Sequence, residues 1–94
     1  MDVSRPLKEY VVRLVMGARN HAEAVLGVSP RGSVALQRAA QALALIHERT
    51  FVIPDDVKSI APAVMAHRVL TRGPRPEAAH DLVADVLAQV EVPL

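Results

Sequence analysis

The stretch GVSPRGSVALQRAAQALALI, residues 27–46, reads as a turn that opens into a long helix. Gly27 supplies a turning residue, Ser29 an N-cap and Pro30 the first helical position, which its fixed φ suits. Leu36, Ala39, Ala40, Leu43 and Ile46 then recur at helical spacing and predict a second helix over 30–48. Its alanines permit close approach of neighbours, and its apolar positions cover more than one face, so it is expected at the centre of a bundle. Arg31 breaks the local rule. It falls in the first turn, where the macrodipole favours acids and a cation costs roughly a few tenths of a kcal/mol or more. The N–H groups of a helix start, a guanidinium fork and the close approach allowed by Gly32 together form a receptor for a phosphate oxygen.

Outward from this stretch the chain remains helical. Leu7, Tyr10, Val11, Leu14, Val15 and Ala18 follow an N-cap at Ser4 and predict a helix over 5–19, with Gly17 weakening its last turn. A connector runs from Asn20 to Val28. Thr50-Phe51-Val52-Ile53 reads as a brief extended piece closed by Pro54, with Val90 to Val92 as its expected pairing partner. Pro54-Asp55-Asp56-Val57 is a strong helix start, with proline at the first position and two acids in the first turn. Pro62 lacks an N–H and clashes with the preceding turn, which predicts two short helices, 54–60 and 62–71. Gly73-Pro74-Arg75-Pro76 is a turn, and Pro76-Glu77 opens a last helix carrying Leu82, Val83, Val86, Leu87 and Val90 on one face. The expected fold is all-α, one small bundle of about four to five helices over 1–94 with a minor extended pair.

Composition narrows the function. Apolar residues are 51% of the 94, but aromatic ones only 2%, Tyr10 and Phe51, so the core must be built from Ala, Val and Leu. Eleven Lys+Arg against ten Asp+Glu leave a formal net charge of +1, no bulk basis for binding nucleic acid or an anionic membrane. Arg31 and Arg38 are joined by no further cation until Arg49, so the second helix lacks the basic stripe of a DNA reader. There is no cysteine, hence no disulfide frame and no thiolate chemistry. Ala42 to Ile46 is too short an apolar run to span a bilayer, and Met1-Asp2 does not open a signal peptide; a cytoplasmic setting fits. The chain has no glycine-rich phosphate loop, no G-x-S-x-G and no paired-histidine metal spacing. His21, His47, His67 and His80 read as surface or packing residues, Asp55 and Asp56 as capping acids, and Arg19 and His67-Arg68 as cations at helix C-termini.

The segments GVSPRG, the alanine-rich helix and RTFVIPDDVKSIAPAVMAHRVL, taken in order, resemble the C-terminal lid of MoxR-type AAA+ ATPases, over roughly 4–72 with a looser fit to the closing VEVP. Magnesium-chelatase lids carry a similar S-P-R element. The resemblance implies that Arg31 is a sensor-two arginine reaching the γ-phosphate of ATP, with Ser29 and Arg19 as lesser candidates for nucleotide contact. It implies ATP and Mg²⁺ in a parent ATPase and none held by these 94 residues alone. The implied partners are a preceding α/β domain, neighbouring subunits of a ring and a client protein, with neither nucleic acid nor membrane. On this view the chain is a fragment without hydrolytic activity of its own. Glu48 stands where the family often has glycine, Ile53 where it has a capping Thr or Ser, and Ala18 where it has Thr. The alternative function is a stand-alone helical adaptor that takes a partner helix in an alanine-lined groove.

Overall fold

The first helix, α1, spans Arg5–Arg19, with Ser4 as its cap: the Ser4 hydroxyl accepts from the Leu7 N–H at 3.3 Å. Its periodic residues from Leu7 to Ala18 are all buried, as their spacing requires. The computed structural model describes residues 3–26, 29–72 and 77–93, so the turns expected at Gly27 and at 73–76 lie outside the described residues. After α1 come β1 (Ala24–Leu26), α2 (Pro30–Ile46), α3 (Pro54–Met65), a 3₁₀ turn (Ala66–Arg68), β2 (Leu70–Thr71) and α4 (Ala78–Gln89). This is the small helical bundle with a minor extended pair.

The extended pair is not the expected one. β1 and β2 pair antiparallel, Ala24 with Thr71 and Leu26 with Leu70, with a bulge-like irregularity between. Arg72 extends the ribbon, its N–H donating to the Glu23 carbonyl and its Nε to the Ala22 carbonyl, each at 3.0 Å. Residues 50–53 and 90–92 do not form a strand pair: Phe51 is a single bridge residue, 91–93 are irregular, and two of the segments' donors serve helix ends. The Ile53 N–H donates to the Asp56 carboxylate at 2.9 Å and the Val90 N–H to the Val86 carbonyl at 3.0 Å.

Pro62 does not divide the third segment either. α3 runs through it as one helix from Pro54 to Met65, and the chain tightens to 3₁₀ only at Ala66. An interior proline costs about 3 kcal/mol in an isolated helix. Here Val57, Ala61 and Met65, one turn apart on the inner face, are all fully buried, which favours a continuous helix on both sides of the proline.

α2 ends at Ile46, two residues short of the expected boundary, and it is not the central helix. α1 and α3 each pack against the three other helices, whereas α2 and α4 flank this pair. Gly17 lets α4 close on α1: a Cβ there would lie 3.0 Å from Val86 Cγ1. On α2 the buried positions are Gly32, Leu36, Ala40 and Ala44, four residues apart in a single stripe. Alanines all round a helix permit packing on several sides without deciding which side is covered. Among the described residues no helix is long and apolar enough to cross a membrane.

Candidate functional site

The candidate site is the first turn of α2. Ser29 has the extended geometry of an N-cap (φ −71°, ψ 164°), but its hydroxyl makes no cap hydrogen bond; the Gly32 N–H is met instead by the Ser29 carbonyl at 2.8 Å. Pro30 occupies the first helical position and Arg31 the second, with no acid in the turn. Arg31 is exposed and has neither ion pair nor hydrogen bond to its guanidinium among the described residues. Gly32 is buried beneath it.

The other helix starts show how unusual this is. α1 also opens on a cation, Arg5, but Glu9 one turn on lies 3.5 Å from it. The residue one turn after Arg31 is Ala35. α3 opens on Asp55 and Asp56. Ile53 has no side-chain acceptor, so only half of a capping box forms there: the Asp56 carboxylate takes the Ile53 N–H. The same carboxylate, almost wholly buried, pairs with Arg49. The sequence pattern identified the capping role of Asp56 but not its clamp on Arg49, whose only signal is an arginine shortly before a helix-opening acid.

Of the remaining candidates, Arg19 is exposed at the last position of α1, where it complements the carbonyl end of the helix, and belongs to a different element from Ser29 and Arg31. His47, His67, Arg68 and His80 are exposed. His21 has a structural part. Its Nδ1 accepts from the Glu23 N–H at 3.0 Å and its Nε2 lies 2.7 Å from Asp85, tying the end of α1 and the ribbon to α4. A cleft of about 520 Å³ beside it is lined by His21, Glu23, Thr71, Asp81, Leu82 and Asp85 and does not include Arg31. Among the described residues no group of three or more His, Cys, Asp or Glu side chains could hold a metal ion.

An exposed, uncompensated guanidinium beside a helix N-terminus is chemically suited to an anionic phosphate oxygen. Residues 16–90 match the family described as the AAA lid domain, and the chain belongs to that family. Relatives named MoxR are among its matches. The chain is 36% identical to the chaperone MoxR1 of Mycobacterium tuberculosis over 72% of its length and 40% identical to the protein MoxR of Paracoccus denitrificans over 70%. Over 94% of its length it is 45% identical to the uncharacterized protein YeaC of Bacillus subtilis. These matches cover only 20%, 23% and 28% of the respective relatives. A crystal structure of a presumed ATPase from Cytophaga hutchinsonii superposes on 98% of the chain with a TM-score of 0.85 at 25% identity, using 32% of that protein.

Proposed function

We propose that this domain is the lid of a longer, ring-forming MoxR-type ATPase and that Arg31 is its sensor-two arginine. In this reading a preceding α/β domain binds ATP and Mg²⁺, and Arg31 reaches the γ-phosphate from the lid. The observation that carries the reading is the cation at the second position of α2, exposed, without an acid in its turn and without a partner among the described residues. A fixed guanidinium fork there binds two phosphate oxygens at once and offsets charge as the phosphoryl group leaves. Loss of the γ-phosphate removes that contact and frees the lid to rotate, which passes the nucleotide state to the next subunit in a chaperone-like role. The relatives are several times longer than the region they share with this chain, which supports a lid working within a larger enzyme. Arg31 alone supplies too few contacts for measurable ATP affinity, so the 94 residues by themselves neither bind nor hydrolyse it.

The test is steady-state hydrolysis by the full-length ATPase. Arg31→Ala is expected to slow turnover by roughly 10- to 1,000-fold, and Arg31→Lys to rescue poorly because a point charge lacks the fork. Unchanged turnover in Arg31→Ala would falsify the assignment.

A further inference from the structure

α1 and α4 lie side by side and antiparallel: Val86 and Val90 close on Gly17, Arg13 shares a shallow cleft with Gln89 and Glu91, and His21 reaches Asp85. Their exposed faces are opposite in sign. α1 carries Arg5, Lys8, Arg13 and Arg19 against a single acid, Glu9, whereas residues 77–91 carry Glu77, Asp81, Asp85 and Glu91 and no Lys or Arg. The faces are opposite in relief as well. At about 100° per residue, Arg5, Val12 and Met16 fall within roughly 40° of one another, with Lys8 and Arg13 on either side. Val12 is 51% exposed and Met16 44%, so this face is a ridge of two large apolar side chains between cations. The matching face of α4, Asp81, Ala84, Asp85 and Ala88, sets alanines between acids and is exposed throughout.

We propose that this surface binds a second copy of itself about a two-fold axis, with α1 of each copy lying along α4 of the other. A two-fold axis perpendicular to the α1–α4 plane exchanges the two helices and reverses both, so each α1 runs parallel to the second copy's α4. In that direction the spacings agree. Val12 falls on Ala84, Arg13 beside Asp85 and Met16 on Ala88, one register serving all three pairs, with the apolar ridge seated over the alanines. The same register sets Glu9 against Asp81, a like-charge meeting that Arg5, 3.5 Å from Glu9, offsets. The axis then falls beside Gly17, where the two helices of one copy already touch, so both contacts form together. Each pairing is made twice, and the opposite faces satisfy one another without a third body. Neighbours within a ring are related by the ring's own rotation, so a two-fold contact joins subunits of two assemblies. It is independent of Arg31, which lies on α2.

This chain has no cysteine, so disulfide trapping in the full-length ATPase reads the register directly, once any native cysteines elsewhere in the protein are replaced. Val12→Cys and Ala84→Cys, both at exposed positions, are made as two separate proteins and mixed before mild oxidation. The expected result is a mixed disulfide at least about tenfold more abundant than the homodimeric disulfide of either variant alone. Arg13→Glu in both proteins is expected to cut that yield about tenfold, and Arg13→Glu combined with Asp85→Lys to restore it, since the exchanged charges meet again. Trapping between the two cysteine variants is also expected to weaken as salt rises toward about 1 M, a check that leaves residues 13 and 85 untouched. A mixed disulfide no more abundant than the homodimeric ones would overturn the proposal. So would a Val12→Cys thiol that is protected from maleimide yet never trapped by Ala84→Cys, because a different partner would then cover α1.

Discussion

The two ends of α2 each break a rule of local structure, and they break it differently. At the N-terminal end a cation sits where the dipole disfavours it, and among the described residues nothing compensates it. At the C-terminal end Glu48 adopts a left-handed backbone, φ 61°, that glycine normally supplies. There the freed carbonyls of the helix end are met. The Glu48 N–H donates to the Leu45 carbonyl and the Arg49 N–H to the Ala44 carbonyl, each at 2.9 Å, the double bond of a Schellman turn. Arg49 is then held by buried Asp56, which also caps α3. A strained residue whose neighbours close around it belongs to the architecture; an unfavourable residue left open to solvent has no such structural account, and its proposed role is what substitution tests.

The comparison breaks most visibly if the two ends respond alike to substitution. Arg31→Ala is expected to cost the full-length ATPase at least tenfold in turnover while changing domain stability by no more than about 0.5 kcal/mol, since it removes a cation from a helix start and keeps a good helix former. Hydrolysis rates and thermal melts of the same variant measure both. Asp56→Ala is expected to do the reverse, destabilising by about 2–3 kcal/mol, because Arg49 loses its charge partner and the Ile53 N–H its acceptor. A urea-denaturation loss below about 0.5 kcal/mol would show that the C-terminal end is as loosely held as the other.

Glu48→Gly sharpens the contrast by removing the strain and keeping the turn. It is expected to stabilise by about 1 kcal/mol, seen as a melting temperature higher by about 4–8 °C, as the left-handed penalty for a side chain disappears. A lower melting temperature would mean that the Glu48 side chain contributes more than its backbone costs.

The smallest effect concerns a buried hydroxyl. The Tyr10 hydroxyl is buried with no hydrogen-bond partner among the described residues, and burial pushes its pKa up, an effect the nearby Arg13 partly opposes. A raised pKa means that the folded state keeps the proton where the unfolded state releases it. The contribution to stability is therefore complete below the ordinary tyrosine value of about 10 and falls as pH rises beyond it. Tyr10→Phe is expected to be neutral or stabilising by up to about 1 kcal/mol at neutral pH and to lose less stability than the parent above about pH 10. Parallel denaturation curves at both pH values decide it; equal alkaline losses in the two proteins would exclude Tyr10 as their source.

Much of this is legible in the sequence alone. α1 could be bounded to the residue because Ser4, the apolar period and the terminal cation agree with one another. Arg31 was conspicuous because it contradicts its own turn. The ribbon was not legible, since strands of three and two residues carry no periodicity to read and depend on partners 47 positions apart, as Ala24 and Thr71 are. Pro62 misleads because propensity is local, whereas the tertiary burial of Val57, Ala61 and Met65 favours one continuous helix. The peripheral place of α2 was hidden by its alanines, which fit a neighbour on any side.

That short ribbon also bears on how the chain reaches its fold. By joining Ala24 to Thr71 it closes a loop that contains all of α2 and α3, while α1 and α4 lie outside it. Closing such a loop costs entropy that grows only with the logarithm of its length, so a few residues added within it change the cost by tenths of a kcal/mol. Two short strands offer little in return until the helices between them have paired. The α2–α3 hairpin is thus expected to assemble early from near-neighbour contacts and the ribbon to close late, leaving amides 24–26 and 70–71 the first to exchange with solvent when the native protein opens locally.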